Sequence, residues 1–141
     1  MPSRSGKQTV YTDGSRTGTG RAGAGVFWGP RDSRNLSNQL PGKQTALSAE
    51  IKAAEKAIRQ AERCNVSKLC VATDSKAVVH HASGSKMAGV SAPTRDAIKG
   101  LQGTLAKTPV EVSWKVVEGH SGIPGNVRAD HLAKAGAGIA K

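Results

Sequence analysis

One segment restricts the fold of this chain more than any other. Between Thr45 and Arg63, Leu47, Ile51, Ala54, Ile58 and Ala61 recur at steps of four and three, which draws a single apolar stripe down an α-helix. Thr45 stands where an N-cap belongs. Shortly after the helix, Ser67 to Thr73 (Ser-Lys-Leu-Cys-Val-Ala-Thr) reads as an apolar strand that ends at Asp74. A strand reached through a helix of this length implies a crossover, and crossovers join parallel strands. The stripe must then be buried against a sheet, which makes the chain an α/β protein.

The remaining segments complete that sheet. Gln8 to Thr12 reads as a first strand that stops at Asp13-Gly14-Ser15, followed by a turn carrying Gly18 and Gly20. Ala22 to Trp28 reads as a second strand whose glycines suit close backbone packing, with Gly29-Pro30 ending it. A third strand runs from Ser33 to Leu40 before Pro41-Gly42. Ser75 to Ala82 forms a short helix, residues 83–92 a Gly/Ser-rich loop, and Pro93 to Leu105 a helix with Ile98, Leu101 and Leu105 on one face. Val110 to Val117 is a strand, Glu118 to Gly125 a loop and Asn126 to Ala137 the last helix. The first three strands form an antiparallel meander, and the crossovers extend it with parallel strands. The expected architecture is a five-stranded mixed sheet flanked by helices. Residues 1–7 read as a disordered basic lead and 8–141 as one domain, a size that suits one core. Trp28 and Trp114 are expected in that core, and His80 and His81 on the surface.

Charge narrows the partner. Twenty-one Lys and Arg against ten Asp and Glu leave a formal net charge of +11. Such an excess favours a polyanion through phosphate neutralisation and counterion release. No amphipathic basic helix with a bulky apolar face suggests a membrane surface instead. Cys64 and Cys70 make neither a disulfide framework nor a zinc site, and they read as free thiols of a reducing compartment. No apolar run approaches the ~18 residues of a membrane span, and Met1 to Lys7 lacks the apolar segment of a signal peptide. An intracellular protein, nuclear or cytoplasmic, is expected.

In so basic a chain the few acids carry information. Asp13 and Asp74 end strands, Glu50 lies one turn into the long helix, and Asp130 lies in the first turns of the last. Strand ends of an open α/β sheet are where reactive groups converge. Four carboxylates gathered there repel one another unless cations neutralise them, and oxygen ligands point to Mg²⁺ or Mn²⁺. Two such ions about 4 Å apart activate a water and stabilise the leaving oxygen of a phosphodiester. The plainer alternative makes Asp13 and Asp74 turn residues, and Glu50 and Asp130 helix-start charges favoured by the macrodipole.

Local wording discriminates between the two. Tyr11-Thr12-Asp13-Gly14-Ser15, Ala22-Gly23-Ala24-Gly25-Val26, Ala49-Glu50, Thr73-Asp74-Ser75, Gly119-His120-Ser121-Gly122, Gly125-Asn126 and Ala129-Asp130 together resemble the type 1 ribonuclease H family, in the family's order, from Val10 to about Ala137. The resemblance implies a ribonuclease H-like fold and an endonuclease that hydrolyses the RNA strand of RNA–DNA hybrids with two Mg²⁺ ions, Mn²⁺ substituting. It implies Asp13 as the carboxylate shared by both ions, with Glu50, Asp74 and Asp130 completing the set. His120 matches a mobile histidine that moves protons and helps product leave. Asn126 matches a residue supporting the last carboxylate's neighbourhood, and Lys43 and Thr45 match positions holding a DNA-strand phosphate. Gly14 and Ser15 belong to the turn that meets the hybrid. No small-molecule cofactor is implied, and a monomer is expected.

The chain also departs from the family. Ala46 and Leu47 stand where many members carry Asn and Gln, whose amides sense 2′-hydroxyls, so discrimination of RNA must lean on backbone groups or on the turn from Ser15 to Gly18. The stretch from Asp74 to His120 is shorter than in bacterial and vertebrate members and lacks their tryptophan-containing basic protrusion; Ser85 and Lys86 stand roughly in its place. The separate N-terminal hybrid-binding module of many eukaryotic members is not expected. Two other readings remain at this level: a hybrid-binding domain without catalysis, and the ribonuclease H domain of a retroelement, where wording like Gly119 to Asn126 is also common.

Overall fold

The structure, a computed structural model, describes residues 7–84, 89–119 and 122–138. Its elements in chain order are β1 (Lys7–Arg16), β2 (Ala22–Phe27), β3 (Leu36–Leu40), α1 (Ala46–Arg63), β4 (Lys68–Thr73), α2 (Lys76–Ala82), α3 (Ala92–Lys107), β5 (Glu111–Val116) and α4 (Pro124–Ala137). The sheet has the order β3-β2-β1-β4-β5. β1 pairs antiparallel with β2 and parallel with β4, β2 pairs antiparallel with β3, and β4 pairs parallel with β5. The mixed sheet read from the sequence is therefore present, with β1 at its centre.

Two faces of the sheet are filled by different means. On one, Val10 and Val26 of the sheet meet Ile51 and Ile58 of α1, Leu69 and Val71 of β4, and Ile98 and Leu101 of α3, all fully buried. Every member of the predicted helical stripe joins this face, with Leu47 only half-buried at its margin. Trp28 and Trp114 also pack at that margin. Trp28 gives its indole N–H to Gln60 Oε1 at 2.9 Å, and the Arg34 guanidinium stacks 4.0 Å from its ring centroid.

The opposite face carries α4, which lies almost backbone to backbone on β2. Cβ atoms at Gly23 and Gly25 would collide with the backbone of Ala133 and Ala129, so the two glycines of this strand set how deeply α4 sits. That depth decides how far Asp130 reaches toward the strand ends.

Helix ends follow local chemistry. Thr45 caps α1: its Oγ1 accepts from Ser48 N at 2.8 Å while Thr45 N donates to Ser48 Oγ at 2.7 Å, a reciprocal capping box. α4 begins at Pro124, before the expected Asn126, because proline's fixed φ suits a first helical turn.

Three expectations need correction. β1 does not stop at Asp13; its antiparallel ladder with β2 continues to Arg16↔Ala22, and a turn closed by Thr17 N donating to Arg21 O at 2.7 Å follows. β3 starts at Leu36, since Asp32 to Asn35 fold into a knot in which Arg34 pairs with Asp32 and Asn35 Oδ1 accepts from Trp28 N. His81 is buried rather than on the surface, because it faces inward from the last turn of α2. Burial, then the neighbouring His80 charge, lowers its pKa. Among the described residues no helix is long and apolar enough to cross a membrane.

Candidate active site

Register brings the strand-borne carboxylates together. The last β1–β4 pair is Tyr11↔Ala72, so Asp13 falls just beyond the point where β4 runs alongside. β4 itself ends at Thr73, immediately before Asp74. Both carboxylates emerge at the same edge of the sheet, where the strand-end argument expects reactive groups.

Helix α1 adds Glu50. It can do so because Gly14 has no side chain: a Cβ there would collide with Glu50 N and the Ala49 carbonyl carbon. This close approach gives Gly14 a packing duty, and its own N–H donates to Asp13 Oδ1 at 2.9 Å. One oxygen from each of Asp13, Glu50 and Asp74 lies within 4.8 Å of the others. Asp130 approaches from α4, hydrogen-bonding Asp13 side chain to side chain and pairing with Lys134 Nζ at 3.1 Å. All four predicted carboxylates thus meet, three in a compact triad and the fourth at its flank.

Their electrostatics are those of a site short of positive charge. Asp13 is 6% exposed, and its pKa is pushed up to about 8. Burial is the largest cause, followed by the Asp74 charge and the hydrogen bond with Asp130, while the Gly14 N–H opposes them. Glu50 is also raised, by burial first; a hydrogen bond with the Ser75 side chain works against that, and the Asp74 charge adds to it. With its pKa pushed up to about 8, Asp13 holds a proton at neutral pH where a cation would otherwise offset the neighbouring charge. An all-oxygen donor set of this spacing suits a hard divalent cation, whose binding would displace that proton.

The other predicted residues are distributed around this cluster. His120 lies outside the described residues, as do Ser85 and Lys86. Gly119, just before His120, abuts the cluster: a Cβ there would lie 3.1 Å from Asp74 Oδ2. Asn126 is buried in the first turns of α4. Ser15 is half-buried on β1. Lys43 and Thr45 line a cleft of about 640 Å³ together with Arg16 and Arg21. Thr45 Oγ1 is already engaged there, by Ser48 N and by Thr94 Oγ1 at 2.6 Å.

Sequence reasoning missed three participants. Lys134 was legible, since it stands four residues beyond Asp130 on a helix. Arg16 was not: its Nε donates to Gln44 O at 2.8 Å, a contact between residues far apart in the chain. Ser75 stood in the sequence only as part of Thr73-Asp74-Ser75 and as the start of a short helix; in the structure it is the N-cap of α2, its Oγ accepting from Val78 N at 3.2 Å.

Comparison with known proteins agrees with this geometry. The RNase H family model matches residues 5–138. Ribonuclease H1 of Mus musculus is 40% identical over 140 residues, which cover 91% of this chain and 49% of the relative. Ribonuclease H of Ralstonia nicotianae is 35% identical over 146 residues, covering 94% of this chain and 93% of the relative. The chain therefore spans about half the length of its mammalian relative and nearly all of its bacterial one. RNase H1 from the halophilic archaeon Halobacterium salinarum shares the fold, with a TM-score of 0.74 at 22% identity, covering 96% of this chain and 100% of that one. With its carboxylates gathered at the strand ends and a family match from residue 5 to 138, the chain belongs to the RNase H family.

Proposed function

We propose that this chain is a divalent-cation-dependent endonuclease that hydrolyses the RNA strand of RNA–DNA hybrids. The observation that carries this reading is the convergence of Asp13, Glu50 and Asp74 within 4.8 Å in a chain of net charge +11. Asp13, Glu50, Asp74 and Asp130 would hold two Mg²⁺ ions, with Asp13 shared because it touches both the triad and Asp130. Bound there, the ions would acidify the attacking water and stabilise charge on the phosphodiester oxygens.

The chain's own groups do the rest. The carboxylates, arriving from β1, the end of β4, α1 and α4, would orient the site from four directions. His120, next in sequence to the Gly119 that abuts Asp74, moves a proton at its imidazole and assists product departure. Lys43 holds a phosphate of the DNA strand at the cleft it shares with Thr45 and Arg16. Arg16, pinned through Nε to Gln44 O, keeps its remaining N–H groups for the substrate beside an α1 first turn where exposed Ala46 offers no donor. Asn126 steadies the start of α4 below Asp130.

Incubation with end-labelled RNA–DNA hybrid, duplex RNA and duplex DNA, each with Mg²⁺ or with EDTA, tests the reading. Cleavage should be confined to the RNA of the hybrid and should stop with EDTA. Hybrid binding without any cleavage at saturating Mg²⁺ would make the chain a binding domain instead.

A further inference from the structure

We propose that the outward face of α1 and its groove with α3 form a second nucleic-acid contact, a phosphate track that takes a single-stranded extension of the DNA strand beyond the bound hybrid. This rests on the hybrid-cutting reading above and adds a surface to it. The track is a chain of three depressions that share walls. The cleft of about 640 Å³ that holds Arg16, Arg21 and Lys43 is also lined by Leu40 and Pro41. Those two residues line a hollow of about 340 Å³ together with Lys52, Lys56 and Arg59 of α1. Arg59 in turn lines a third depression, of about 310 Å³, with Glu62 of α1 and with Lys99, Gly103 and Lys107 of α3. From Thr45 to Arg59 the helix runs about 20 Å, so the cations reach well away from the cleft at Lys43.

Packing and charge both single this surface out. α1 and α3 run side by side in the same direction, joined near their starts by Thr45 Oγ1 and Thr94 Oγ1 at 2.6 Å. Further along, Thr104 Oγ1 donates to Glu55 Oε2 at 2.8 Å. Arg59 is held over the groove, its Nε and Nη2 donating to the same Glu55 oxygen at 3.0 and 2.8 Å. Lys52, Lys56, Arg59 and Arg63 follow one another at helical spacing, a run of like charges that costs the helix stability. A merely solvated helix face mixes its signs. Compensation of the helix dipole explains Arg63 and Lys107, which stand in last turns, but not Lys52 and Lys56. Among the described residues, Lys52, Lys56, Lys99 and Lys107 pair with no carboxylate. The direction of the surface selects its occupant. Glu50 reaches the carboxylate cluster, whereas Lys52 lies two residues on, about 200° round the helix. A duplex seated on the carboxylates is too stiff to turn onto that face, and a single strand is not. Among the described residues no aromatic ring lines the three depressions, so the contact is to phosphates and indifferent to sequence. Lys43, the proposed holder of a DNA-strand phosphate, stands at the head of the track, which makes the DNA strand the one that continues.

The test compares a blunt RNA–DNA hybrid with the same hybrid carrying about ten unpaired thymidines on its DNA strand, at the 3′ end in one probe and the 5′ end in another. Equilibrium binding to the whole chain is measured in EDTA across a range of salt. At least one extension should tighten binding about tenfold at low salt and steepen log K against log salt by about two units, the single-strand slope for three phosphates. Combining Lys56→Gln, Lys99→Gln and Lys107→Gln should abolish that gain and leave blunt-hybrid binding within about twofold. Combining Lys7→Gln, Arg31→Gln and Lys68→Gln removes the same charge from exposed positions off the track and should keep the gain. Should the first combination not fold, the pair Lys99→Gln and Lys107→Gln, on α3 alone, takes its place and should lose most of the gain. The proposal is overturned if neither extension tightens binding, if the folded track variant keeps the gain, or if the off-track variant loses as much of it. Failure of the underlying reading looks different: the unaltered chain would leave the RNA of the blunt hybrid uncut in Mg²⁺.

Discussion

Asp13 and Arg16 lie three residues apart on one strand, yet they carry their charges under opposite conditions. Asp13 is 6% exposed, and burial with like-charged neighbours pushes its pKa up to about 8. Arg16 is exposed at the mouth of a cleft it shares with Arg21 and Lys43. The buried end works at short range in a low dielectric, where geometry decides everything and bulk salt has little influence. The exposed end works through water, where each contact is weak and screened and only the sum matters. The division suits a nuclease. In the proposed reaction, the clustered carboxylates would serve the chemistry and the exposed cations the grip on the substrate.

The sharpest way to break this comparison is to remove a charge from the buried end. Asp13→Asn should slow hybrid cleavage by at least ~10³, roughly 4 kcal/mol of barrier, with hybrid affinity nearly unchanged in EDTA. Single-turnover rates beside equilibrium binding would show it; activity within tenfold of the unaltered chain would remove Asp13 from the site.

A smaller effect is expected at His120, next in sequence to Gly119. His120→Ala should lower turnover by about 10–100-fold, because a proton carrier can be replaced in part by water. A loss as complete as that of Asp13→Asn would place His120 in the chemical step itself.

The buried end also predicts an inverse relation between function and stability. Asp13's pKa is raised from 3.8 to about 8 in the folded chain, so between those values the folded state holds a proton that the unfolded state has released. Unfolding free energy should therefore fall as pH rises through that window, and level off above about 8. Glu50, shifted in the same direction, adds to the trend. Thermal melts in EDTA across this range should show the decline for the unaltered chain and a flatter curve for Asp13→Asn. Mg²⁺ should recover most stability near the upper end, where less proton has to be displaced. A flat melting profile for the unaltered chain would mean that Asp13 is ionised throughout.

The exposed end yields the smallest change. Lys43→Ala should weaken hybrid binding a few-fold and flatten the slope of log K against log salt by about one unit, without altering single-turnover cleavage at saturating hybrid. If the slope stays the same, Lys43 touches no phosphate.

Much of the scaffold was legible without coordinates because it depends on local repetition. The stripe from Leu47 to Ala61 named the buried face of α1, and the strand after it demanded a parallel crossover onto β1. The capping position of Thr45 and the starts of α2 and α3 follow from chemistry within a single turn. Even the pairing of Lys134 with Asp130 is a matter of helical spacing.

What the sequence could not decide are the contacts between elements that arrive from different parts of the chain. Leu47 is an instance: its half-buried place at the core margin means that converting it to Gln costs packing, whereas exposed Ala46 is open to substitution. That β1 runs on past Asp13 depends on how far β2 follows it, and His81's burial on how α2 sits against the core. The approach of Asp130 to Asp13 depends on two glycines of β2 that let α4 come within backbone contact. Periodicity fixes which face of an element is buried, since that face is written into neighbouring residues. Only packing fixes which side chains of different elements come to meet, since that depends on angstrom-scale approaches between segments with no spacing in common.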